Sequence, residues 1–175
     1  YARGHIPYRS WCKYCVMGAG TSSQHRLVTG KEDEDITTIS MDYEYMTEET
    51  GEEKMMPILT MFDRKSKTIK ANVCPHKAIH PYAVTVATQN IDNLGYKRLN
   101  LKCDQEPAIV SLRNAIKETS KMDIIPELIP TGDSQSNGEV EGTIDLVKGK
   151  VRTLRLYLQS RYNTIIRAEH NIVPW

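Results

Sequence analysis

A chain of 175 residues is long enough for one ordinary domain and a short appendage. With 39% hydrophobic and 26% charged residues its composition is globular rather than disordered, and no apolar run approaches the ~20 residues of a membrane helix. The net charge of +1 excludes a uniformly basic surface, though not a basic face.

The charge is uneven along the chain. Residues 1–30 hold Arg3, Arg9, Lys13 and Arg26 and no acid, whereas residues 31–53 hold ten acids against Lys31, and residues 142–175 return to +4. The acidic block reads as a solvated loop. The chain opens on Tyr1 without a leader-like segment, which reads as a piece of a longer polypeptide. Four cysteines, one C-x2-C pair (Cys12, Cys15) and two singles (Cys74, Cys103), fit a reducing compartment rather than a disulfide framework.

In chain order, residues 1–30 read as a basic, cysteine-containing arm that ends in a flexible linker at Gly18, Gly20 and Thr21–Ser23. Residues 36–46 are β-prone. Residues 56–63 and 67–74 read as two strands of a hairpin, with Asp63 and Ser66 forming the turn. A helix is expected over 82–94, a half-buried strand over 97–103, and a helix over 107–119 opened by Pro107. Residues 123–129 read as a strand whose Pro126 demands an edge position. A polar loop over 131–138 then leads into a long helix from about 139 to 162. Three consecutive strands favour antiparallel pairing, and the later strand–helix–strand units favour parallel pairing. The expectation is a mixed α/β sheet flanked by helices.

On the last helix Ile144, Val147, Val151, Leu154, Leu158, Tyr162 and Ile165 recur every three or four residues. Glu141 is in phase with this stripe and Glu139 is out of phase, so Glu139 is expected to point elsewhere. An acid in phase with a buried face needs a compensating partner. Asp42 falls inside the first strand and Asp104 just past the fourth. Neighbouring first and fourth strands would bring the two together, and the helix start could add Glu141. Three carboxylates on rigid elements suit hard divalent ions, which take oxygen ligands and serve in-line phosphodiester chemistry.

The residues flanking these acids resemble those of a known family. Ile39–Met46 (ISMDYEYM), Phe62–Lys67 (FDRKSK), Leu101–Pro107 (LKCDQEP) and Ser134–Gly142 (SQSNGEVEG) are similar, in that order, to segments of long-terminal-repeat retrotransposon integrases, especially the copia-like ones, and more distantly of retroviral integrases. The resemblance covers roughly residues 5–165. Gln105 departs from the Asn-Gly that many relatives carry after the second acid.

The resemblance implies an RNase H-like, five-stranded mixed sheet flanked by helices, with Asp42, Asp104 and Glu141 as catalytic residues and ligands of two Mg2+ or Mn2+ ions. It implies trimming of element DNA 3′ ends and strand transfer into target DNA, by a nuclear homo-oligomer. On this view residues 31–165 are the catalytic core, residues 1–30 the remnant of a zinc-binding arm and linker, and residues 166–175 the start of a C-terminal extension. His5, Cys12 and Cys15 match part of the family's zinc module. Tetrahedral zinc needs a fourth ligand, which lies upstream, is His25, or has been lost. Lys148 stands where relatives touch element DNA. Arg152 and Arg155 extend a basic row that suits phosphate contacts or a plain solvated face, and Gln135 and Asn137 precede it. His76 and His80 beside Cys74 read as a turn at a helix start. The alternatives are a related RNase H-like nuclease or transposase, a decayed integrase-like nucleic-acid-binding domain, and an unrelated α/β domain behind a zinc module. The last would be favoured by wide separation of the three acids.

Overall fold

β1 (Thr37–Tyr45) buries Ile39, Met41 and Tyr43 and leaves Asp42 and Glu44 half-buried, the period-two alternation of a strand with two unlike faces. This is seen in a computed structural model that describes residues 9–19, 36–45, 57–77, 79–129, 134–167 and 170. β2 (Pro57–Asp63) pairs antiparallel with β1, placing Thr60 opposite Asp42, and β3 (Ile69–Val73) pairs antiparallel with β2.

The hairpin between them is closed by Asp63, as its spacing to Ser66 predicts. Its buried carboxylate accepts the Lys65 and Ser66 backbone N–H groups at 3.2 and 3.1 Å and hydroxyls from Thr37, Ser66 and Tyr96 at 2.8, 2.5 and 2.6 Å. Burial alone would push this carboxyl up. The hydroxyls of Ser66, Tyr96 and Thr37 outweigh it and hold Asp63 below the usual carboxylate range.

Two strand–helix–strand units follow. α2 (Pro81–Asp92) is capped by His80, whose Nδ1 accepts the Tyr82 N–H at 3.2 Å, and it leads to β4 (Arg98–Cys103). α3 (Pro107–Thr119) leads to β5 (Asp123–Leu128). β4 lies parallel to β1, and β5 parallel to β4, giving the order β3-β2-β1-β4-β5 with Pro126 on the edge strand. Ile39, Met41, Leu59, Leu99 and Leu101 pack with Ala87 and Ile91 of α2 and Ile109, Leu112 and Ile116 of α3 to form the core. Each fully buried Leu or Ile stabilises by roughly 1.5–3 kcal/mol. The expected mixed five-stranded sheet with flanking helices, the RNase H-like arrangement, is the one observed.

α4 (Ser134–Tyr162) packs on β1 and β2. It begins before the expected 139, taking in residues that read as loop because of their Ser, Asn and Gly content. Its apolar stripe is buried only in part. Ile144 is buried and Val147, Val151 and Leu158 are half-buried, whereas Leu154, Tyr162 and Ile165 are exposed, and Ile165 lies beyond the helix. The reason is α1 (Lys13–Ala19), which docks on the second half of α4 and shifts the buried side to Gly149 and Thr153. Here the expected linker at Gly18 is instead helical and buried. A Cβ at Gly18 would stand 1.9 Å from Thr153 Oγ1 and 2.9 Å from the Gly149 carbonyl, so only glycine allows this approach. Tyr14 meets Tyr157 edge-on at 5.7 Å, and its hydroxyl donates to Ser160 Oγ.

Candidate active site

The parallel register of β1 and β4 determines which acids meet. Ser40 pairs with Lys102, and two further steps bring Asp42 level with Asp104, just beyond the end of β4. Asp42 is half-buried, and its carboxylate accepts the Tyr43 N–H at 2.7 Å. Asp104 is also half-buried and accepts the Glu106 N–H at 3.0 Å. Burial first, then the charge of Asp104, push the Asp42 carboxyl up to about 6. The Tyr43 N–H and Lys77 oppose this shift, and Glu106 adds to it. Two like charges in a partly dry setting resist simultaneous ionisation, and a cation between them would remove the conflict.

The third expected acid does not join them in a group that could hold a metal ion among the described residues. Glu139 pairs with Arg64 at 3.0 Å. Arg64 follows β2, and its N–H donates to Thr38 O at the beginning of β1. Further along α4, Lys148 Nζ lies 3.5 Å from Glu44 near the end of β1. The helix therefore runs along β1 in the strand's own direction. Glu141, two residues past Glu139, is carried on the part of α4 nearer the strand's beginning, whereas Asp42 lies toward its end. Glu141 is exposed rather than buried with the stripe, and among the described residues no group of three or more His, Cys, Asp or Glu is placed to hold a metal ion. The structure thus brings Asp42 and Asp104 together, and among the described residues no third acid completes a metal-holding group with them.

Lys148 does reach this region, because Glu44 shares a strand face with Asp42. Arg152 donates from Nε to the Gly18 carbonyl at 3.4 Å, so α1 takes up one member of the basic row. Arg155 is half-buried. Gln135 and Asn137 fall in the first turn of α4, and their side chains lie outside the described residues, as do His5 and His25. Cys12 and Cys15 are buried at the start of α1. The Cys15 backbone N–H draws the Cys12 thiol below its ordinary value, against the opposing effect of burial. His76 and His80 stack edge-on at 5.1 Å beside the start of α2, the turn role expected of them.

Two residues near the acid pair are not among the site residues expected from the sequence. Glu106 occupies the N-cap position of α3 but makes no side-chain cap, and its carboxylate instead meets Lys77 Nζ at 2.5 Å. Lys77 sits in a short segment after β3, next to His76.

No protein-family model matches the chain, and no curated protein matches it in sequence. Among solved structures it is similar to a chain of the simian T-cell lymphotropic virus intasome in complex with PP2A regulatory subunit B56 gamma, at 15% identity and a TM-score of 0.43 over 73% of this chain and 43% of that one. It is also similar to the HTLV-2 integrase catalytic core domain in complex with magnesium, in its dimeric form, at 13% identity and a TM-score of 0.40 over 59% of this chain and 65% of that one. The chain spans less than two thirds of the length of either. Among the described residues no helix is long and apolar enough to cross a membrane.

Proposed function

We propose that this chain is a retroelement integrase core, a divalent-metal-dependent polynucleotidyl transferase that trims DNA 3′ ends and joins them to target DNA in the nucleus. One observation carries the reading: the parallel register of β1 and β4 brings Asp42 level with Asp104, just past the end of β4, and Asp42 is held near 6 by burial and by its neighbour's charge. The donor set fits a hard cation such as Mg2+ or Mn2+, which takes carboxylate oxygens and relieves their repulsion. When bound, such ions supply Lewis-acid stabilisation to a phosphodiester undergoing in-line displacement. The residues of the chain do the rest. Asp42 and Asp104 would hold such a cation, and the Tyr43 and Glu106 N–H groups orient the two carboxylates. Lys148, beside Glu44, offers a cation to the DNA backbone.

Glu141 would serve as third ligand once the first turns of α4 re-seat. That movement breaks the Arg64–Glu139 pair, which is more than a third exposed on both sides and contributes about 0–1 kcal/mol. Joining two DNA ends calls for two copies of the chain, so a homo-oligomer on element-end and target DNA is the working assembly. The placement of Glu141 also favours a second reading, a decayed integrase-like domain that binds DNA without cutting it.

Incubation of labelled duplex DNA with the protein and Mn2+ or Mg2+ separates the two. The enzymatic reading predicts nicked and joined products that fall on the order of 100-fold or more in Asp42→Asn and Asp104→Asn. DNA binding without product would support the decayed form, and product equal in both variants would contradict a role for the acid pair.

A further inference from the structure

Lys77 and Glu106 come from separate strands of the sheet. Lys77 follows β3, Glu106 follows β4, and in the strand order both β2 and β1 lie between them. Their 2.5 Å ion pair therefore bridges the gap between these two strand ends. Lys77 Nζ also lies 5.7 Å from the ring centre of Tyr45, the last residue of β1, and its charge acts on Asp42. The side chain is 21% exposed, so it is largely covered yet still reached by solvent.

A site that holds Asp42, Asp104 and Glu106 would repel a polyanion. A cation beside Asp42 and Glu106 makes it able to receive a phosphate. An ammonium has three donors, and Glu106 is the one carboxylate within ion-pair distance of it among the described residues, which leaves donors for a ligand oxygen. From this geometry, and resting on the function proposed above, we infer that Lys77 is a phosphate-binding residue of the site: Glu106 holds the ammonium beside Asp42, where it receives a non-bridging oxygen of the DNA strand. Lys77 and Lys148 then flank the acid pair, one from the loop after β3 and one from α4.

A purely structural clasp and a phosphate contact give opposite signs when the pair is broken from either end. The test is binding of a fluorescent DNA duplex, with Ca2+ as the divalent ion, across a series of salt concentrations. Wild type is compared with Lys77→Met, Lys77→Arg and Glu106→Gln, and each protein is also melted thermally. The inference predicts that Lys77→Met weakens binding several-fold and lowers the slope of log affinity against log salt by about 0.9. Lys77→Arg keeps the slope. Glu106→Gln, which frees the ammonium, tightens binding two-fold or more, although both it and Lys77→Met lose the same ion pair and melt alike. Weakening in both Lys77→Met and Glu106→Gln, or an unchanged slope in Lys77→Met, overturns the inference and leaves a clasp. A wild type that binds no duplex at low salt overturns the proposed function and the inference with it, whereas a wild type that binds beside indifferent variants overturns the inference alone.

Discussion

A carboxyl group that ionises only near 6 resists its own negative charge, and Asp42 is in that position because of burial and Asp104. Its folded value lies above its unfolded one. As pH rises from about 4 toward 6 the unfolded chain releases this proton first, so stability falls across that window and then levels off. Asp42→Asn removes the conflict. Without metal at pH 7 it is expected to melt higher, by about 1–2 kcal/mol once solvent screening is allowed for. A lower melting temperature would mean that the conflict is absent. Asp63 works in the opposite sense. Its folded value is depressed, so its contribution is present above the ordinary carboxylate range and is lost as pH falls through the folded value. Asp63→Ala strands the donors of Thr37, Ser66 and Tyr96 and is expected to destabilise by about 3 kcal/mol in denaturant titration. Asp63 was legible in the sequence because its turn partner Ser66 is three residues away. Lys77 and Glu106 were not, since each finds its partner only after the sheet has assembled.

At the scale of elements, the strands and α3 follow from alternation, from β-branched content and from Pro107, and they stand where expected. α1 does not follow, because seven residues make no stable helix alone and Gly18 reads as linker until Thr153 and Gly149 are seen against it. Gly18→Ala is expected to undock α1. Thiol titration of the native protein would then find Cys12 and Cys15 reactive, whereas both are buried in the wild type. Unchanged thiol counts would show that α4 yields to the added methyl. α4 itself misled in phase. Its stripe reads as one buried face, yet the sheet covers the first half and α1 the second, and Glu141 is exposed. If the α4 start must re-seat for Glu141 to join the acid pair, Arg64→Ala should raise Mg2+ affinity several-fold. An unchanged affinity would assign the metal to Asp42 and Asp104 without Glu141.

Over the whole molecule, strand order was the most legible property. Three hairpin-linked strands followed by two strand–helix–strand units leave few sheets to build, and Pro126 marked the edge. That order also sets Asp42 beside Asp104, so two thirds of the expected acid triad came with the topology. The third member depends on how a long helix lies across a sheet face, which periodicity alone does not determine. The most direct test of the metal reading is isothermal titration of Mg2+ and Mn2+ into the wild-type chain, Asp42→Asn and Asp104→Asn at pH 7. Saturable binding in the wild type, weakened about tenfold or more in each variant, is the predicted result. Binding of equal strength in all three proteins, or none in the wild type, would contradict a divalent-metal site at this acid pair.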